Sequence, residues 1–224
     1  MELLTKKKVA DKVVEEIKPF YDNEQQHLAY IGKTSKTEGE IREAAGNLVE
    51  NILQRIFDII NRELPYAKIV SKVGSTDFLS KTIYYKGRKI INGTIQVDRH
   101  VYSNNKRICF IENKTYLDSC YYDRALADFR KIAQSLQEHE KDPAECKYIV
   151  FAGQDAASSE KLFTYEADFW NDTKYLTKNK NGLETKTFFF LKGKRSSSLP
   201  LYKVRHQLDE SSIREFVYYI LDLI

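Results

Sequence analysis

The most constraining feature of the chain is an apolar segment that carries an acid and a base two residues apart. This segment runs from Ile108 to Tyr116 and reads ICFIENKTY. Its first four residues are apolar, which is typical of a buried strand. Because side chains two apart on a strand point to the same face, Glu112 and Lys114 are expected to lie together. Burying both charges costs several kcal/mol unless they pair with each other or hold a metal ion.

A second acid precedes this segment and is predicted to approach it in a hairpin. Residues 94–98, TIQVD, form a strand-like run that ends at Asp98, and residues 103–106, SNNK, are a turn signal. Folded as a hairpin, the two runs bring Asp98 close to Glu112 and Lys114. Two carboxylates and a lysine at a strand end are what metal-assisted hydrolysis of a phosphodiester needs.

This arrangement of an acid followed by Glu-x-Lys resembles that of the PD-(D/E)xK nucleases, and among them the type II restriction endonucleases. The resemblance covers roughly residues 38–153, although Val97 stands where the family has its leading proline. It implies an α/β fold with a restriction-endonuclease-like core, in which a mixed central β-sheet is flanked by helices. It also implies that Asp98, Glu112 and Lys114 are catalytic, with Mg²⁺ as the cofactor and Mn²⁺ as its substitute.

The same resemblance implies a set of metal ligands. Mg²⁺ prefers hard oxygen ligands, among them one or two carboxylates. The expected ligands are therefore Asp98, Glu112 and the backbone carbonyl of Asn113, while Lys114 contacts the scissile phosphate or orients the attacking water. Two plainer interpretations remain open. In one, Glu112 and Lys114 form a surface ion pair on an edge strand. In the other, Asp98 is a turn residue that pairs with Arg99.

Other polar residues are weaker candidates for the same site. In these nucleases a helix glutamate reaches the metal site, and the sequence GNLVE that ends at Glu50 resembles that pattern. Glu43 lies on roughly the same helical face and is its rival, and a solvent-facing role is an equally good interpretation of Glu50. Asp77 is an alternative first acid. His100 either lines the cleft or, as is more common beside a turn, points to water.

Positive charge is concentrated in residues 174–205. The formal net charge of the chain is +4, but this stretch has nine Lys or Arg and one acid, so it carries +8 and the remainder carries −4. Such asymmetry indicates a polyanionic partner, the alternative being a solvated basic loop. The predicted DNA contacts are Lys178, Lys180, Lys186, Lys194, Arg195, Lys203 and Arg205.

The length of the chain fits a single domain over residues 1–224, with the core bounds that the resemblance implies. This domain consists of an N-terminal helix at 6–31, the core at about 38–153 and a basic DNA-recognition region at about 154–212. Pro19 is expected to interrupt the first helix, and Thr37 is expected to cap the second. The other predicted elements are strands at 66–73, 148–151 and 187–191, a small hairpin at 81–91, helices at 121–139 and 213–224, and a helix or loop at 163–170.

Other sequence features exclude several classes of protein. No apolar run approaches the ~18 residues of a membrane span, and the N-terminal segment lacks the apolar stretch of a signal peptide, so a cytoplasmic location is expected. No glycine-rich phosphate loop is present, and ATP use is not expected. The sequence therefore predicts a Mg²⁺-dependent, sequence-specific double-stranded DNA endonuclease, a type II restriction enzyme acting as a homodimer. The alternatives are a junction resolvase, a repair or nicking nuclease of the same superfamily, or a DNA-binding module that has lost the chemistry.

Overall fold

A mixed β-sheet flanked by helices forms the body of the molecule, as expected from the sequence. The computed structural model describes residues 3–35, 37–73, 79–139, 141–195 and 200–224. The helices are α1 (Leu3–Thr34), α2 (Glu38–Glu63), α3 (Ser119–Glu138), α4 (Ser159–Thr173) and α5 (Glu210–Asp222). The strands are β1 (Ile69–Val73), β2 (Leu79–Tyr85), β3 (Arg88–Ile95), β4 (Arg99–Ser103), β5 (Lys106–Leu117), β6 (Lys147–Asp155) and β7 (Thr185–Phe189). Short 3-10 helices lie at Pro143–Glu145 and Lys174–Leu176.

The main sheet has five strands in the order β1-β4-β5-β6-β7. The β1–β4 and β4–β5 pairs are antiparallel, whereas the β5–β6 and β6–β7 pairs are parallel. Strands β2 and β3 pair with each other and, within the described residues, with no other strand, and they form a separate hairpin between β1 and β4 in the chain. The predicted order of helix, strands, helix and strand is therefore present, with this hairpin inserted into it.

Alternating side chains of β5 belong to two different hydrophobic cores. Cys109 and Ile111 pack into the core that contains the buried faces of α1, α2 and α5, which we call the α2 side of the sheet. Phe110 packs into the core that contains α3, and this is the α3 side. Since β5 is covered on both faces and paired on both edges, its position is fixed more firmly than that of an edge strand.

The strand predicted to end at Asp98 is wrong in its boundaries. Strand β3 ends at Ile95, and Asp98 immediately precedes β4. Strand β3 ends here because its partner β2 begins at Leu79, which pairs with Ile95, while Val97, only 3% exposed, packs into the α3-side core. The predicted turn is confirmed, since Asn104 and Asn105 link β4 to β5 with φ of 49° and 64°. Positive φ at both central residues is the geometry of a type I′ hairpin turn.

The prediction that Pro19 interrupts the first helix is also wrong. Helix α1 is 32 residues long and continues through Pro19 without a break. Proline in a helix interior removes one hydrogen bond and costs about 3 kcal/mol. Buried side chains on both sides of it hold the helix together, since Val13 and Ile17 precede it and Tyr21 and Leu28 follow it in the same core.

The remaining elements agree with the sequence patterns, with two further outcomes at single residues. Thr37 caps α2 by accepting a hydrogen bond from the amide of Glu40 at 3.3 Å, and the segment predicted as helix or loop is α4.

His100 does not point to water, because it is 1% exposed and packs edge-on against Phe110 at 5.2 Å between ring centroids. Asp77 lies outside the described residues. No helix in the described part of the chain is long and apolar enough to cross a membrane.

Candidate active site

The β4–β5 hairpin brings the two acids and the lysine of the sequence motif into one group. The Lys114 ammonium lies 2.5 Å from Glu112 Oε1 and 3.8 Å from Asp98 Oδ2. The amide of Asp98 also approaches Glu112 Oε2, at 3.4 Å. A register that pairs Arg99 with Ile111 positions Asp98 beside Glu112, on the α3 side of the sheet. The three side chains therefore form one charged cluster at the start of β4 and the middle of β5.

Backbone hydrogen bonding fixes the first acid in place. The amide of Asn113 donates to Asp98 Oδ2 at 2.7 Å, a short and well-formed bond. Because Asp98 lies outside a regular strand, this bond ties its carboxylate to the rigid strand β5. The Asn113 side chain points to the other face, and both polar atoms of its amide are buried without a hydrogen-bond partner in the described part of the chain.

The surroundings of Glu112 disfavour the charged form of its carboxyl group. Its burial raises the pKa of the carboxyl above the usual value, and the neighbouring Asp98 carboxylate raises it further. Lys114 lowers that pKa by its charge and hydrogen bond, but the net shift is upward. Two carboxylates that share one partly buried site gain stability from added positive charge. Lys114 supplies some of it, and a bound cation would supply more.

A divalent cation fits the chemistry of this donor set. Asp98 and Glu112 offer the hard carboxylate oxygens that Mg²⁺ prefers, and Mg²⁺ is usually bound by one or two protein carboxylates plus water and substrate phosphate. Across the described ranges, no group of three or more His, Cys, Asp or Glu side chains is arranged to hold a metal ion. The side chains at this site that could hold such an ion are the two carboxylates, Asp98 and Glu112.

Glu50 lies on α2 and is joined to the motif through an arginine. Its Oε2 atom is 3.2 Å from Arg99 Nη2, and Arg99 directly follows Asp98. The Arg99 side chain is 8% exposed and that of Glu50 is 39% exposed. The rival Glu43 is exposed on the same helix. Arg99 therefore pairs with Glu50 rather than with Asp98, which removes the interpretation of Asp98 as half of a local turn ion pair.

A cleft of about 470 Å³ adjoins the motif at the end of β5. The Arg195 guanidinium lies over the Tyr116 ring, 3.2 Å from its centroid, and Tyr121 contacts the same tyrosine edge-on at 5.1 Å. The cleft thus combines a cation with aromatic faces, a combination suited to a ligand that carries both phosphate and bases. Its lining includes Asn113, Lys114, Tyr116, Tyr121, Gln154 and Arg195.

The predicted DNA-contacting residues lie at both ends of the parallel strands. The amide of Lys178 donates to Asp142 just before β6, whereas that of Arg195 donates to the carbonyl of Asp155 at the end of β6. A nine-residue strand is about 30 Å long, so these two residues lie on opposite sides of the molecule. Lys180 follows Lys178 in the same exposed loop.

The other basic residues of the stretch have various surroundings. Lys194 forms a parallel backbone bridge with Asp155, so Lys194 and Arg195 lie near the cleft end of β6. Lys186, on strand β7, lies over the Tyr219 ring at 5.0 Å. Lys203 lies over its neighbour Tyr202, and Arg205 forms an ion pair with Asp22 of α1. The structure does not bring the basic stretch together as one surface.

Sequence reasoning missed the role of Arg99 and the depth of Gln154. Arg99 is 7% exposed and Gln154 is 1% exposed, with Gln154 Nε2 2.9 Å from His206 Nδ1. A signal for Arg99 was present, since a charged residue that opens a strand of mostly buried residues requires a buried partner. No local pattern marks Gln154, because its partner is distant in sequence.

Comparisons with known proteins define no family for this chain. No protein-family model matches it, and no curated protein matches it in sequence. One solved structure, that of NucC from P. aeruginosa ATCC27853 in its cAAA-bound form, is similar over 94% of this chain and 90% of that chain. The two are 11% identical, with a TM-score of 0.43. Neither value assigns an activity, which must be inferred from the chain's own residues.

Proposed function

We propose that the protein is a Mg²⁺-dependent DNA endonuclease of the PD-(D/E)xK kind, with Asp98, Glu112 and Lys114 as its catalytic residues. The observation that supports this most is the approach of the Lys114 ammonium to both carboxylates, at 2.5 and 3.8 Å. Glu112 and Lys114 lie on β5 and Asp98 immediately precedes β4, and Glu112 is buried while the other two are partly buried. An ion pair on an exposed edge strand does not fit this position, because β5 is paired on both edges.

Each residue has a distinct task in the proposed reaction. Hydrolysis forms a bond from a water oxygen to phosphorus and breaks the bond to one nucleotide oxygen, so negative charge develops on the phosphate oxygens. Asp98 and Glu112 would hold the metal ion through their carboxylates, with the carbonyl of Asn113 as a further ligand. When bound there, Mg²⁺ supplies a charge sink for the phosphate and makes a nearby water more acidic. Lys114 contacts the scissile phosphate and orients the attacking water.

Two further residues support this cluster. Glu50 holds Arg99 through their ion pair and thereby steadies the start of β4, where Asp98 lies. This role differs from direct approach to the metal, which the family resemblance implied. Arg195, held against Tyr116 at the adjoining cleft, is suited to contact a second phosphate.

The finer assignment is a type II restriction enzyme that cuts both strands of a specific site as a homodimer. A two-fold protein matches a two-fold DNA site, and a symmetric pair places one active site on each strand. Residues 154–212 lie outside the proposed core and provide about sixty residues for recognition. Arg195 and Lys194 of this region lie next to the cleft, which supports a recognition role for that part of it.

Digestion of phage DNA by the purified protein tests both levels of the proposal. With Mg²⁺ or Mn²⁺ we expect discrete bands, and with EDTA we expect intact DNA. A smear would favour a nonspecific nuclease, and a single nick per site would favour a nicking enzyme. Full activity in EDTA would contradict the metal mechanism, and intact DNA under all conditions would favour a DNA-binding module without the chemistry.

A further inference from the structure

The hairpin formed by β2 and β3 is not accounted for by the main sheet or by the catalytic cluster. In the part of the chain that the structure describes, it has no partner strand in the main sheet, and a two-stranded sheet is only marginally stable alone. Its root is anchored, because Leu79 and Ile95 pack into the α3-side core and pair with each other across the hairpin. Only two residues separate β3 from Asp98, so the root is also fixed relative to the catalytic cluster.

The other end of the hairpin is a tight, exposed and basic tip. Tyr85 pairs with Arg88, and the two residues between them, Lys86 and Gly87, have φ of 49° and 76°. These angles define a type I′ turn, which matches the twist of the strands and makes a compact tip. Lys86, Gly87 and Arg88 are all exposed. The root of the hairpin at Leu79 is therefore packed against the α3-side core, whereas its tip at Arg88 is exposed to solvent.

The charge of the hairpin indicates a polyanion as its partner. Residues 79–95 contain four basic residues and no acid, namely Lys81, Lys86, Arg88 and Lys89. The seven residues of β2 span about 24 Å at ~3.4 Å per residue. The major groove of B-DNA is about 12 Å wide and 8.5 Å deep, and it admits a two-stranded ribbon. Because two paired strands lie about 4.8 Å apart, the ribbon is narrow enough to enter this groove lengthwise, and its positive charge suits the phosphates on both sides.

We propose that the β2–β3 hairpin lies in the major groove of double-stranded DNA beside the cleavage site, with Lys86 and Arg88 contacting phosphates at the walls of the groove. This inference rests on the proposed function and names a DNA-contacting element outside the basic stretch 174–205. The short connection to Asp98 sets the distance between the groove contact and the phosphate that is cut. The hairpin thus positions DNA for the active site.

The test compares two charge-neutralised variants of the full chain. Lys86→Gln/Arg88→Gln alters the tip, and Lys7→Gln/Lys8→Gln removes the same charge from exposed positions on α1. DNA affinity is measured against salt with Ca²⁺ in place of Mg²⁺, so that binding is observed without efficient cleavage. Each lost phosphate contact lowers the slope of log affinity against log salt by about 0.9, so the tip variant should lose about 1.8. The α1 variant should keep the wild-type slope, and both should keep the wild-type melting temperature.

Chemical protection identifies the groove independently of the salt dependence. Wild-type protein should shield guanine N7, which faces the major groove, near the cut site, and the tip variant should lose that protection. Protection of adenine N3 alone would overturn the assignment, because that atom faces the minor groove.

Three binding outcomes contradict the hairpin inference in distinguishable ways. An unchanged slope in the tip variant, with DNA-binding wild-type protein, overturns the hairpin contact and leaves the nuclease proposal intact. An equal loss of slope in both variants shows a general effect of charge and also overturns it. Absence of DNA binding and cleavage by the wild-type protein overturns the proposed function, and the hairpin inference with it.

Discussion

The two halves of strand β5 differ in chemistry although they form one continuous element. Residues 108–111 are apolar and at most 7% exposed, and they are held between the cores on the two faces of the sheet. Residues 113–116 are only partly buried, and together with Glu112 they carry the charged and polar groups that face the cleft and Asp98. The first half therefore fixes the geometry, and the second half presents the reactive groups. Substitutions in the two halves should separate stability from activity.

The largest effect is expected in the first half, at Phe110. Its ring is fully buried and stacks on Tyr148 at 5.7 Å between centroids. Phe110→Ala should reduce the free energy of unfolding by about 3–5 kcal/mol, because it removes the ring and leaves a cavity. Urea denaturation measures this. Phe163→Ala, at a residue that is 73% exposed, is the matched control and should change stability by less than about 0.5 kcal/mol.

The next effect, on the barrier to cleavage, is expected in the second half at Lys114. Lys114→Ala should lower the single-turnover cleavage rate at least 100-fold, which corresponds to about 2.7 kcal/mol. Lys106→Ala removes the same charge from the exposed first residue of β5 and should cut at the wild-type rate. A Lys114 variant that cuts normally would show that the motif has been assigned to the wrong function.

A smaller effect on stability and cleavage is expected at Glu50, which joins α2 to the first residue of β4. Glu50→Gln leaves the nearly buried Arg99 with a weaker partner and should cost about 1–2 kcal/mol of stability, discounted because Glu50 is 39% exposed. Cleavage should fall about tenfold as β4 becomes less ordered, equivalent to ~1.4 kcal/mol. The control is Glu43→Gln, on an exposed part of the same helix. If Glu50→Gln kept full stability and lost as much activity as Lys114→Ala, Glu50 would belong to the metal site.

The contrast within β5 also explains which features the sequence could predict. Period-two alternation and an apolar run identify β5, and the Asn104-Asn105 turn identifies its hairpin partner, because both signals are local. The end of β3 could not be predicted from residues 94–98. Strand β3 ends where its partner β2 begins, since Leu79 pairs with Ile95, and that register cannot be deduced from the five residues alone. Pro19 is a similar case, since packing against other elements overrides a local helix-breaking signal.

The site was predictable in its central residues but not in its surroundings. Glu112 and Lys114 share a face by spacing alone, and the turn brings Asp98 to them. The excess of basic residues in 174–205 can be counted from the sequence, but their positions in the folded protein cannot. These residues separate because β6, at about 30 Å, lies between Lys178 and Arg195. The net charge of a sequence segment does not show where its basic residues lie in the folded protein, because that depends on the strands they flank.

The smallest expected effect concerns the stability cost of Glu112 in metal-free buffer. Because the pKa of Glu112 is raised in the folded state, its contribution to stability is full below the ordinary value of 4.5 and is lost as the pH rises through the folded-state pKa. Glu112→Gln should therefore melt at a higher temperature than the wild type near pH 7, and the difference should narrow toward pH 4. Thermal scans across pH measure this, with Glu43→Gln as the control. A lower melting temperature at pH 7 would mean that the Lys114 pair outweighs burial.

The proposed activity requires Asp98 and Glu112 to act together in one catalytic site. Single-turnover cleavage of DNA by Asp98→Asn, Glu112→Gln and the double variant tests this directly, in Mg²⁺ and with folding checked by thermal melting. Each single variant should lose at least 100-fold in rate, and the double variant should fall no more than about tenfold further, because residues that act as a unit are not additive. If either single variant cleaves within tenfold of the wild-type rate, the two acids do not form the active site.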